Sequence, residues 1–184
     1  MLRLSRTLIL VALAAPVAAD TPPTKRTQAA SLRLTTPTSW TQQPAPSDVR
    51  AAQFNIPGAA GAADGELILF FFGASQGGGV EDNLNRWYGQ MEQPDGRSSR
   101  QVGVVTTRKV NDLRITLLDL SGTYVGMRMP RGPKEETKPD YRLLAAVVEG
   151  PGGPWFLKAV GPAPTMAAAK ADFERMLDSL EHHR

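Results

Sequence analysis

Apolar residues recur at helical spacing in two stretches of the chain and alternate or run together in several others. Val80, Leu84, Trp87, Tyr88 and Met91 fall within roughly 100° of arc at helical pitch, so residues 80–91 are predicted to form a helix packed along one side. Glu81 and Asp82 stand in its first turn, where the helix dipole favours acids, and Asp82 precedes Arg86 by four. Met166, Ala169, Phe173, Met176, Leu177 and Leu180 make a second such stripe. It predicts a C-terminal helix capped by Thr165, with His182 to Arg184 fraying beyond it.

The remaining apolar patterns read as strands. Ser31 to Leu34 alternates, Thr36 to Trp40 turns to deliver Trp40 to a core edge, and Val49 to Ile56 alternates again before Pro57-Gly58. Leu67 to Phe72 is apolar at every position, which requires cover on both faces. The runs 102–110 and 113–121 flank Asn111-Asp112, a pair able to adopt positive φ and so to close a two-residue hairpin. Tyr141 to Glu149 and Trp155 to Val160 flank Gly150-Pro-Gly-Gly-Pro154 in a last hairpin. The loop from Gly126 to Asp140 is read as either mobile or a contact site. Two main helices with about seven strands, mostly hairpin-linked, predict an α+β domain: an α/β/α sandwich on an antiparallel sheet.

Composition changes the picture at the N-terminus. Arg3 and Arg6 precede an apolar run from Leu8 to Ala15 and a small-residue exit at Val17-Ala-Ala19, so residues 1–19 read as an export signal. Residues 20–30, rich in Thr, Pro and Gln, read as a flexible leader, and residues 31–184 as one domain. The expected product is exported, periplasmic or secreted, with no transmembrane segment. The chain has no cysteine, which removes disulfides, thiol catalysis, thiolate metal sites and a lipid-anchored cysteine. Without the signal, basic residues exceed acidic ones by one, and no basic stripe with interleaved aromatics occurs, so no nucleic-acid partner is expected.

Candidate chemistry is sparse. The two histidines are both at the C-terminus, so no Ser-His-Asp arrangement and no histidine metal site can be built inside the domain. No cofactor is expected, and the chain is read as non-enzymatic. Asn83, Arg86 and Gln90 line one edge of helix 80–91 beside Trp87. They form either a recognition edge, with Arg86 meeting a carboxylate or phosphate and Trp87 a stacking face, or a hydrogen-bond network pinning the helix to loops. Lys158 either faces inward to pair with Glu81 or Glu149 or snorkels at a strand edge. Tyr124 either places its hydroxyl in a polar pocket with Arg86 or Lys158 or covers the sheet end. The glycines 77–79 ahead of the helix lack the Lys and Ser/Thr of a P-loop.

Five strings in order resemble a family: Pro-x-x-Trp at Pro37 to Trp40, the Gly-Gly-x-Glu-x-Asn-x-x-Arg-Trp-x-x-Gln pattern from Gly78 to Gln90, Gly-Thr-Tyr at Gly122 to Tyr124, Tyr-Arg-Leu-Leu-Ala-Ala from Tyr141, and Lys-x-x-Gly-Pro from Lys158. The chain resembles an uncharacterised group of exported bacterial proteins and lipoproteins whose fold is similar to that of PsbP. Met91 stands where that group has an aromatic residue. The resemblance implies a PsbP-like α/β/α sandwich and no catalytic residue. With the helix edge, it supports a protein-binding or assembly module of the cell envelope using Glu81, Asn83, Arg86, Trp87, Gln90, Tyr124 and Lys158. The alternative is a small-molecule binder or weak hydrolase with a pocket near helix 80–91, Tyr124 and Lys158.

Overall fold

The computed structural model describes residues 22–127 and 136–183. Its elements begin with a hairpin of β1 (Thr24–Ala29) and β2 (Leu32–Pro37), followed by β3 (Thr41–Gln43), β4 (Arg50–Ile56) and β5 (Gly65–Phe70). Helix α1 (Val80–Tyr88) leads into the short β6 (Met91–Glu92), and a single turn, α2 (Ser99–Val102), precedes β7 (Val104–Val110) and β8 (Leu113–Tyr124). Then come β9 (Lys138–Glu149), β10 (Trp155–Pro162), α3 (Ala163–Asp178) and β11 (Glu181–His182). Strands β3 to β10 make an antiparallel eight-stranded sheet in the order β3-β4-β5-β10-β9-β8-β6, with β7 also paired to β8. A second, three-stranded sheet runs β1-β2-β11.

Period-two alternation sorts the central strands between two cores. Leu144, Ala146 and Val148 of β9, with Trp155, Leu157 and Ala159 of β10 and Leu67 and Leu69 of β5, face α3 and the small sheet. Leu143, Ala145 and Val147, with Phe156, Leu118 and Leu120, face α1. Leu143 to Val148 is buried on both faces, whereas Leu67 to Phe72 is covered on the α3 side by the burial of Leu67 and Leu69 but only in part on the other, where Phe70 is partly buried and Phe72, past the end of β5, is exposed; the α+β sandwich is the observed architecture. Every residue of the predicted C-terminal stripe, from Met166 to Leu180, is buried, and each large one contributes about 1.5–3 kcal/mol. The outer half of α3 is tied to the sheet by a charged clamp. Arg142 Nε and Nη2 donate to the two carboxylate oxygens of Asp119 at 2.7 and 2.6 Å, and Lys170 Nζ of α3 donates to Oδ2 at 2.8 Å.

Several boundaries differ from the sequence reading. Residues 24–29, expected in a flexible leader, form β1, because Thr27 and Ala29 turn inward and the strand pairs along its whole length with β2. His182, expected to fray, belongs with Glu181 to β11, which pairs with Arg33 and Leu32, and the His182 ring lies 5.9 Å from Trp155. Thr165 is not the cap of α3. The helix begins at Ala163 with Pro162 as its N-cap, and the Thr165 hydroxyl instead donates to the Ala63 carbonyl at 2.8 Å, holding the 57–64 connector. Only Asn111 of the Asn-Asp pair has positive φ, 54°, and Val110 pairs with Leu113 across it. The loop expected to reach Asp140 ends earlier, since Lys138 already belongs to β9; residues 128–135 of that loop and the export signal lie outside the described residues.

Candidate binding site

Helix α1 has nine residues, about 13.5 Å of helix, against a sheet whose seven strand positions at about 4.8 Å spacing are about twice as wide, β6 and β7 sharing one edge of β8. Its buried face meets β6, β8 and β9 and Phe156 of β10, and among the described residues α1 does not reach over β4, β5 and the Lys158 end of β10. The candidate site is the boundary between covered and open sheet.

The glycines ahead of α1 set its position. Gly77 and Gly78 have φ of 90° and 85°, and a Cβ on Gly77 would lie 2.5 Å from the Phe156 ring, so the chain must be bare to pass so close to β10. Asp82, expected to pair with Arg86, turns back to accept a hydrogen bond from the Gly79 N–H at 3.0 Å. Asn83 is buried and donates to the carbonyls of Gly77 and Gly79 at 3.1 and 2.9 Å, using both amide hydrogens to close the turn. Its Oδ1 remains for Arg86 Nη1, at 2.7 Å. Among the described residues no carboxylate lies within ion-pair distance of Arg86.

The other end of α1 brings Gln90 to Tyr124. Strand β6 pairs Met91 with Tyr124 and Glu92 with Thr123, and the Val125 N–H donates to the Gln90 carbonyl at 2.9 Å. Lys158 lies on the α1 side of β10, between the inward Phe156 and Val160. Its ammonium donates to Gln90 Oε1 at 3.2 Å and to the Tyr124 hydroxyl at 3.3 Å, and lies 5.5 Å from the centre of the Tyr124 ring. Tyr124 stacks on Tyr141 at 6.1 Å. Inward placement of Lys158 is thus realised with Gln90 and Tyr124, not with the acids considered for it: Glu81 lies 3.5 Å from Arg100, and Glu149 lies 3.8 Å from Arg114.

Six of the seven predicted residues therefore meet. Asn83, Arg86, Trp87, Gln90, Tyr124 and Lys158 surround one region, whereas Glu81 is exposed and points with Arg100 to the other side of α1, where Arg100 also lies over the Tyr88 ring at 5.2 Å. Two hollows open at this region. A small socket of about 100 Å³ is lined by Phe70, Phe72, Trp87 and Phe156 with Arg86 and Lys158 at its polar side. A trough of about 530 Å³ runs over the open sheet past Arg50, Asn55, Glu66, Tyr141 and Lys138. The sequence reading missed the aromatic walls and the trough. Phe70 and Phe156 read as core strand residues, and the sole available signal was their parity with Lys158, which needs the β5–β10 register to be interpreted. Among the described residues no three His, Asp or Glu side chains lie close enough to hold a metal ion.

Solved structures share the fold. The solution structure of the cyanobacterial PsbP, CyanoP, from Synechocystis is similar over 93% of this chain and 99% of its own, at 11% identity and a TM-score of 0.53. The fold is PsbP-like. A Pseudomonas aeruginosa protein of unknown function, PA94, described as a putative regulator, is similar over 88% of this chain and 98% of its own, at 12% identity and a TM-score of 0.50. At such identities the likeness concerns the fold alone. No family model matches the chain, and no curated protein is similar to it in sequence. No helix among the described residues is long and apolar enough to cross a membrane.

Proposed function

We propose that this is a non-enzymatic, exported binding module that holds a protein partner of the cell envelope at the edge between α1 and the open half of the sheet. One observation carries the reading: Arg86 is oriented by a buried asparagine and has no carboxylate partner among the described residues, beside a socket whose aromatic wall is partly exposed. Phe72 is 38% and Met127 54% exposed there. Here an oriented cation and apolar surface stand together, as at the centre of interfaces. The hydrogen-bond network and the recognition edge, alternatives from sequence, become two layers of one device. Asn83 and Gln90 are the pins, and Arg86, Lys158 and the aromatic wall are what a partner meets.

A photo-crosslinking amino acid in place of Phe72 tests this in the producing cell, with the same substitution at the exposed Gln28 of β1 as control. A discrete protein adduct from position 72 and none from position 28 supports the reading. Adducts of equal yield from both positions, or from neither, refute it. The alternative from sequence, a small-molecule site, has the trough in its favour, and a ligand there would raise the melting temperature with the logarithm of its concentration.

A further inference from the structure

The binding reading leaves open what enters the site, and the inference here rests on it. The socket and the trough share Phe70, Met127 and Lys158, so they adjoin on one face of the sheet. The wall of the socket is ordered by its own contacts: Phe72 lies 6.1 Å from Phe70, parallel, and 5.8 Å from Phe156, tilted. Of the five N–H donors of Arg86, the bond to Asn83 uses one, and the planar fork of a guanidinium matches a carboxylate. Because Asn83 is itself fixed by two backbone carbonyls, Arg86 has given up rotamer freedom before a ligand arrives, which lowers the entropic cost of binding.

The charges along the trough point the same way. Its acids lie at the end away from the socket, where Asp64 accepts from the Asn55 amide at 2.8 Å and the Gly58 N–H at 2.7 Å and stays ionised, and Glu66 lies 3.9 Å from Arg50. Lys138, beyond, lies 5.7 Å from the centre of the Tyr141 ring, with no carboxylate within ion-pair distance among the described residues. Lys158 sits where socket and trough join.

The geometry points to an extended acidic-apolar segment of a partner protein as the occupant. One large aliphatic side chain fills the socket, and the carboxylate of an Asp or Glu two positions away, on the same face of the extended segment, meets Arg86. The following residues run over Lys158 towards Lys138. The trough adjoining the socket provides a path for a through-running chain, which a free acid would not need.

The test uses the mature protein and dye-labelled, amidated peptides read by fluorescence anisotropy. The probe is Ser-Gly-Leu-Ser-Asp-Ser-Gly; controls carry Asn for the Asp or Ala for the Leu, and 4-methylpentanoate supplies the free acid. The expected result is saturable binding of the probe, with both control peptides weaker by about tenfold or more. Arg86→Ala should abolish the preference for Asp over Asn, and Arg86→Lys should retain part of it, in proteins whose melting curves match the parent. Equal binding of the Asp and Asn peptides, an undiminished preference in Arg86→Ala, no saturable binding, or equally tight binding of 4-methylpentanoate would each overturn the inference. A partner crosslinked at position 72 without any Asp preference overturns the acidic segment and leaves the module standing. Peptide discrimination without a crosslinked partner supports the groove chemistry and removes the envelope-partner reading.

Discussion

Replacing Asp119 by Asn removes the charge at the centre of the clamp between α3 and the sheet. The carboxylate accepts two bonds from Arg142 and one from Lys170, and an amide in its place must turn an NH2 towards one of these donors. Asp119 and Arg142 side chains are 16% and 20% exposed, so their pairing takes place largely out of water, whereas Lys170, at 40%, counts for less. Breaking a fully buried pair costs about 3–5 kcal/mol; the residual exposure here reduces that to about 2–3 kcal/mol. For a domain of this size the melting temperature should fall by roughly 4–12 °C. The effect should also depend on pH. Burial pushes the Asp119 carboxyl pKa up, but the hydrogen bonds and charges of Arg142 and Lys170 outweigh it and hold the pKa below the ordinary value. The stabilisation is therefore complete above the unfolded pKa of about 3.9 and is lost as pH falls through the lower folded value. Urea unfolding followed by far-ultraviolet circular dichroism, at about pH 7 and then in steps to about pH 2.5, measures both effects. The parent and Asp119→Asn should differ most at neutral pH and converge in acid. A gap that stays constant to the lowest pH, or is absent at pH 7, would refute the argument.

Other substitutions probe the remaining supports. Phe173→Ala, in the buried stripe of α3, should cost about 3–5 kcal/mol in the same urea assay, because the small sheet, the main sheet and α3 all close around that ring. Gly77→Ala should cost about 2–3 kcal/mol, since the residue combines a φ of 90° with a Cβ 2.5 Å from Phe156; its Tm drop should accompany weaker crosslinking at position 72, as Phe72 and Phe156 form the socket wall. Asn83→Ala should cost about 1–3 kcal/mol by leaving the Gly77 and Gly79 carbonyls without their amide donors, and should weaken peptide binding even in protein that is still folded. Unchanged peptide affinity in folded Asn83→Ala would show that Arg86 needs no orienting partner.

Much of the fold was legible because the signal is local. Helical periodicity identified both long helices, and the uniformly apolar run at 143–148 is buried on both faces as its pattern requires, while Phe70 and Phe72 of the run at 67–72 are left partly uncovered at the socket. Turn chemistry at Asn111 and at Gly150 to Pro154 placed two hairpins. What local pattern misjudged were polar segments whose order comes from distant pairing. Thr24 to Ala29 has the composition of a leader but gains a full ladder from β2. Glu181 and His182 gain theirs from a strand about 150 positions earlier. Thr165 carries the chemistry of a cap, yet Pro164 can occupy the first turn and the chain enters the helix from β10, leaving the hydroxyl to bind the 57–64 connector.

The candidate site divides along the same line. By itself the sequence determined the α1 edge at Asn83, Arg86 and Trp87, whose relative positions follow from 3.6 residues per turn, but not Gln90, because the helix predicted over 80–91 ends at Tyr88 and the chain turns there into β6. It could not determine that Glu81 turns to Arg100, because an exposed side chain in a first turn can reach either flank. It offered Lys158 to Tyr124, 34 positions away, only as one alternative and did not offer it to Gln90, 68 positions away, because their meeting depends on the β6–β8 and β9–β10 registers. The groove belongs wholly to the tertiary structure: among the described residues a nine-residue helix does not reach across the sheet it packs on, and only the assembled sheet brings Arg50, Tyr141 and Lys158 together beside it.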